Sequence, residues 1–148
     1  MFRYCTEFLS IVSDRKITTL FDRDGAGCTN FNSLFVKAGF AVGIDAAHKK
    51  HATKPLPAIL FPAPPNRVDF SSSRKTVQRH LAIEHYFLDA LLVANGLRGD
   101  PVAAGSFVFE IDANGAKKIA FAKRTKILDA VDFSNFKCLV DRILALQM

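Results

Sequence analysis

Residues 76–95 carry apolar side chains at helical spacing on two sides. At roughly 100° per residue, Ile83, Tyr86, Phe87, Ala90, Val93 and Ala94 gather in one broad sector. Leu81, Leu88 and Leu92 form a narrow stripe nearly opposite. Glu84 and Asn95 separate the faces on one flank, and Gln78, His85 and Asp89 on the other. A helix packed only on its own sheet exposes polar residues on its far side. Burying three leucines is worth roughly 1.5–3 kcal/mol each, so the stripe calls for a cover. Either another part of the chain supplies it or a second copy does. The expectation is a homodimer seam built on Leu81, Leu88 and Leu92.

The remaining pattern sets the fold class. Residues 2–13 repeat Tyr4, Cys5, Phe8, Ile11 and Val12 at three- and four-residue spacing, which predicts a helix. Residues 17–21 turn β-like, and Asp24-Gly25 between apolar runs predicts a hairpin turn. Strands are expected over about 28–32 and 34–44. Leu56 to Phe61 fits one edge strand, because proline is tolerated there. After the 76–95 helix, residues 105–112 alternate and 117–124 return through Asn114-Gly115, an antiparallel hairpin. A last helix begins near Asp132 and carries Phe133, Phe136, Leu139, Val140, Ile143 and Leu144. The predicted class is α+β, with a mostly antiparallel twisted sheet and three helices in the order αβββ(β)αββα. A chain of 148 residues suits one domain, expected over residues 1–148.

Charge is concentrated in one place. Residues 46–80 hold seven basic side chains against one acid, Asp69, which accounts for the whole net charge of +6. Five of the six prolines fall at 46–75, a segment expected to be mainly a long loop. Lys49, Lys50, Lys54, Arg74, Lys75 and Arg79 form a candidate polyanion patch. Few aromatics are interleaved with it to stack bases, only Phe61 and Phe70.

Chemical motifs do not assemble from the linear sequence. Asp22 to Gly27 resembles a calcium loop but has Ala26 at its fifth position and Ser33 at its twelfth. His80 and His85 diverge by about 140° on a helix, too far for one metal. His48 and His51 are flanked by lysines, which repel a cation. No glycine-rich phosphate loop precedes a helix. Carboxylate pairs such as Asp22 with Asp24 are what turns ordinarily carry. Cys5, Cys28 and Cys138 are an odd number with no metal spacing, favouring a reducing cytosol. The expectations are no catalytic residue, no metal and no cofactor. No apolar run approaches the roughly eighteen residues of a membrane span. Glu7 interrupts the apolar stretch of the N-terminus, unlike a secretory signal.

The chain resembles the Tir-chaperone (CesT-like) family of type III secretion chaperones. The matching features are Leu20-Phe21-Asp22-Arg23-Asp24-Gly25 with Cys28 and Phe31, then Leu88 to Asn95, then Gly105 to Asp112 with Asn114-Gly115. Leu128-Asp129 through Phe133 and Phe136 to Val140-Asp141 is the fourth. The resemblance covers most of the chain. Family members are usually acidic with a compact middle, whereas this chain is basic and proline-rich at 46–75. The resemblance implies a bacterial cytoplasmic homodimer that acts without catalysis, holding the N-terminal segment of a secreted effector. Phe8, Ile11, Val12, Phe21, Phe31 and Phe35 would then be effector-binding residues. The alternative is a nucleic-acid or polyanion-binding module using the basic segment, with binding that weakens steeply with salt.

Overall fold

The computed structural model describes residues 17–37, 39–67, 80–102, 109–112, 114–127 and 131–146. The predicted first helix, with Phe8, Ile11 and Val12, lies outside the described residues, as do Arg74, Lys75 and Arg79.

The fold is α+β. A four-stranded sheet has the order β1 (Thr19–Phe21), β5 (Pro57–Leu60), β4 (His48–His51), β3 (Phe40–Val42). β1 runs parallel to β5, with Leu20 opposite Ile59; the other two pairings are antiparallel. The parallel pair needs a crossover, and helix α1 (Gly25–Lys37) begins it.

Residues 56–61 are buried from both sides. Leu56 and Ala58 pack with Phe31, Leu34 and Phe40, while Ile59 and Phe61 pack with Leu81, Tyr86 and Leu139. The alternation of a strand sends these two sets to opposite faces. β5 is therefore a central strand and not the predicted edge. Pro57 is tolerated because it is the first residue of the strand.

Two hairpin expectations are overturned for one reason. Residues 28–32 and 34–36 are not strands but part of α1, and residues 117–124 lie in α3 (Gly115–Ile127). Asp24 Oδ1 accepts the Gly27 amide at 2.5 Å, and Asn114 Oδ1 accepts the Lys117 amide at 3.0 Å. Each side chain satisfies a free amide of a helical first turn, so Asp-Gly and Asn-Gly start helices here and turn no hairpin. β8 (Phe109–Ile111) pairs instead with β7 (Arg98–Pro101).

The 76–95 helix is also replaced. Its described part comprises β6 (His80–Leu81), a 3₁₀ turn (Ile83–Tyr86) and the short helix α2 (Asp89–Ala94). β6 pairs with β2 (Arg23–Asp24). The leucines do not form a stripe. Leu81 joins the cluster of Tyr86 and Leu139, Leu92 joins a second cluster with Leu97, Phe109 and Phe121, and Leu88 is exposed. Both buried leucines are covered by their own chain, which removes the seam as the sequence drew it.

The C-terminal helix α4 (Lys137–Ala145) follows a 3₁₀ turn at Ser134–Phe136, and Asp132 Oδ1 accepts the Ser134 amide at 2.8 Å. Leu139 is buried on it, while Val140 and Leu144 are exposed. No helix among the described residues is long and apolar enough to cross a membrane.

Candidate functional site

β1 ends at Phe21, and the chain passes through Asp22 and the short β2 into α1. A junction at the carboxyl end of a parallel strand, opening a helix, is where open sheets commonly bind ligands. Here Leu20, Phe21, Asp22, Asp24, Asn30 and Ser33 line a cleft of about 460 Å³. Asp22 and Asp24 are two residues apart in extended chain, which turns both carboxylates the same way. Asp24 uses one oxygen to cap α1 and keeps the other. A side chain at Gly27 would meet the Asp22 carbonyl oxygen at 2.0 Å, so only glycine lets the helix start this close to the strand.

A third carboxylate arrives from a distant part of the sequence. Pairing of β2 with β6 brings the adjoining 3₁₀ turn, with Glu84, beside Asp22. Glu84 is 5 % exposed; its Oε1 pairs with Lys118 Nζ of α3 at 3.0 Å, and its Oε2 is buried without a hydrogen-bond partner. The consequence appears at Asp22. Burial, then the charges of Asp24 and Glu84, push its carboxyl above the usual carboxylate range; Lys118 and the Ile83 amide oppose the shift without cancelling it. Among the described residues no group of three His, Cys, Asp or Glu side chains is arranged to enclose a metal ion. Asp22 and Asp24 therefore line the cleft, while Glu84, paired with Lys118, acts on Asp22 from outside the lining.

From the sequence alone, Asp22 and Asp24 read as turn residues. The signal that distinguishes them is their position between a β-like run and an amphipathic stretch holding Phe31 and Leu34. Glu84 has no linear signal, since only the β2–β6 pairing brings it near.

The other predicted residues scatter. Phe31 is 1 % exposed and belongs to the core, so it cannot face a partner; Phe21 is half-buried and packs edge-on against it with ring centroids 5.8 Å apart. The Phe35 side chain lies outside the described residues. Lys49 is 1 % exposed and leaves the predicted surface patch. Its Nζ donates to the carbonyls of Phe31 and Asn32 and lies 4.3 Å from the centre of the Phe31 ring. Burial lowers its pKa. Lys50 and Lys54 do line a common cleft of about 260 Å³ with His48, His51 and Leu146.

Of the buried titratable groups, His85 and Arg67 are structural. His85 holds the Ala82 amide and the Phe109 carbonyl. Arg67 donates to the carbonyls of His85 and Phe87 and to Asp89. Comparison of the chain with protein-family models, with curated proteins and with solved structures gave no match to any of them.

Proposed function

We propose that Asp22 and Asp24, backed by Glu84, hold a hard divalent cation such as Mg²⁺ and present it to a phosphate ester of a polyanionic substrate for hydrolysis. The observation carrying this reading is the buried Glu84 carboxylate beside Asp22, with one oxygen unpartnered. Carboxylates crowded this way repel one another, and a cation relieves the repulsion. Mg²⁺ needs only one or two carboxylates, because water and substrate phosphate complete its octahedron. The bound cation would polarise a phosphoryl oxygen and lower the pKa of a coordinated water. Hydrolysis would need no other reactant: water would supply the oxygen that joins phosphorus and the proton that the departing ester oxygen takes up. The net charge of +6 would draw a polyanion to the protein. The non-catalytic expectation rested on the linear motifs and on the chaperone resemblance; Glu84 comes beside Asp22 only through the β2–β6 pairing, which no linear motif carries.

Calorimetric titration with Mn²⁺ or Mg²⁺ tests the proposal, together with cleavage of labelled DNA and RNA. Binding should weaken at least tenfold in Asp24→Asn and in Glu84→Gln, and any cleavage should require the cation. Equal cation affinity in the Asp22→Asn, Asp24→Asn double variant would overturn it.

A second reading, the type III effector chaperone, is supported by β3. Among the described residues this strand ends the sheet, and Val42 at its end and Ile44 just beyond it are 58 % and 67 % exposed. An edge of this kind can take an added strand from an extended segment. Light scattering and titration with an apolar effector-like peptide test it. Val42→Lys should abolish binding, and a monomer that ignores such peptides removes the reading.

A further inference from the structure

The strand alternation that sends Asp22 and Asp24 into one cleft sends Arg23 to the other side. There it lines a second cleft, of about 510 Å³, with Asp45, Leu60, Pro62, Cys138 and Arg142. Arg23 is half-buried, and its Nε is buried and donates to nothing among the described residues. No carboxylate among the described residues forms an ion pair with its guanidinium. The Tyr86 hydroxyl is no competitor for a ligand, since it donates to the Pro62 carbonyl. Arg142, on α4, pairs with Asp45 across the cleft. Two guanidinium groups and one carboxylate leave the cleft with one net positive charge.

An unpaired, partly buried guanidinium is costly unless an acceptor reaches it. Its planar fork of donors matches the oxygens of phosphate better than any single-atom anion. We infer that Arg23 and Arg142 form an oxyanion site that takes a phosphate group, free or carried in a nucleic-acid backbone. The site lies on the opposite side of β2 from the acidic cluster, and it depends neither on cation binding there nor on effector binding at β3.

Cys138 reports on the cleft because it lines it. Alkylation of Cys138 by N-ethylmaleimide is followed by mass spectrometry, with Cys28 as internal reference, at constant ionic strength and with EDTA present to exclude cations. Inorganic phosphate should slow Cys138 alkylation at least threefold and leave Cys28 unchanged. The protection should disappear in Arg23→Gln and in Arg142→Gln, whose folding is checked by circular dichroism. A short single-stranded oligonucleotide forms the second arm. Protection by both ligands assigns the site to backbone phosphate, and protection by phosphate alone assigns it to a free anion. No protection by either, or equal protection in a folded Arg23→Gln protein, overturns the inference. EDTA keeps this outcome separate from the fate of the cation proposal.

Discussion

His85 donates its Nε2 hydrogen to the carbonyl of Phe109 at 3.0 Å while its Nδ1 accepts the Ala82 amide at 3.0 Å. A ring that accepts at one nitrogen and donates at the other is neutral. Burial holds its pKa below the ordinary 6.5. The unfolded chain then binds the proton first as pH falls. The stability contributed by neutral His85 is complete above about pH 6.5 and declines below it, until the folded imidazole also takes up a proton. Urea unfolding from pH 8 to pH 5 should show this decline. His85→Ala, which leaves two buried backbone groups unpaired, should cost about 1–3 kcal/mol for each at pH 8. It should also flatten the acid-side slope.

Asp22 has the opposite sign. Its carboxyl is raised in the folded protein, so the folded state holds the proton more tightly than the unfolded chain. That contribution is present below the unfolded pKa and lost as pH rises through the folded one. Near neutral pH the ionised group therefore works against the fold. Asp22→Asn should raise the melting temperature at pH 7 in EDTA, and it should reduce the further rise that Mg²⁺ gives the wild type. A variant less stable than wild type in EDTA would contradict the crowding argument.

Arg67 clamps the 3₁₀ turn at 65–67 onto the chain at 85–89. It is 8 % exposed and donates to the carbonyls of His85 at 3.2 Å and Phe87 at 3.3 Å, and to Asp89. It also stacks 5.0 Å from the centre of the Phe109 ring. Arg67→Ala should cost about 1–3 kcal/mol, measured by denaturant unfolding, through its lost hydrogen bonds to the buried carbonyls; Asp89 is half-exposed and keeps Arg98 nearby. Arg67→Lys should recover less than half, since an ammonium lacks the planar fork.

Lys49 sits beneath α1 and not in solvent. Lys49→Ala should cost about 1–3 kcal/mol through the lost packing of its buried stem and its lost hydrogen bonds to the Phe31 and Asn32 carbonyls. It should change the salt dependence of any polyanion binding very little. Lys50→Ala and Lys54→Ala, at exposed positions, should each lower the salt slope by about one and leave stability within about 0.5 kcal/mol.

Leu92→Ala should destabilise the protein by about 2–5 kcal/mol, as expected for a fully buried leucine. Leu88→Asp, at an exposed position, should stay within about 0.5 kcal/mol. Measuring both at two protein concentrations separates core from interface. A Leu92→Ala defect that deepens on dilution would restore a role for this leucine between copies.

The sequence by itself determined the α+β class, because a period near two and a period near 3.6 are written in side chains that must be buried. It marked residues 56–61 and 109–111 as strands and 137–145 as helix, and it placed a boundary at Asp22 to Gly25. It could not say whether a strand or a helix lies beyond that boundary. Asp-Gly and Asn-Gly serve a hairpin turn and a helix start equally well; Phe31, Leu34 and Phe121 decide the matter only by what they pack on. Residues 80–94 show the limit most clearly. Their apolar spacing suits a two-faced helix, yet the strand pair β2–β6 and two separate clusters bury Leu81 and Leu92 more completely. Tertiary structure alone decided that Glu84 stands beside Asp22, that Lys49 lies under a helix, and that Arg23 faces away from its acidic neighbours. Each depends on elements distant in the chain packing together, and local periodicity carries no information about which of them will meet.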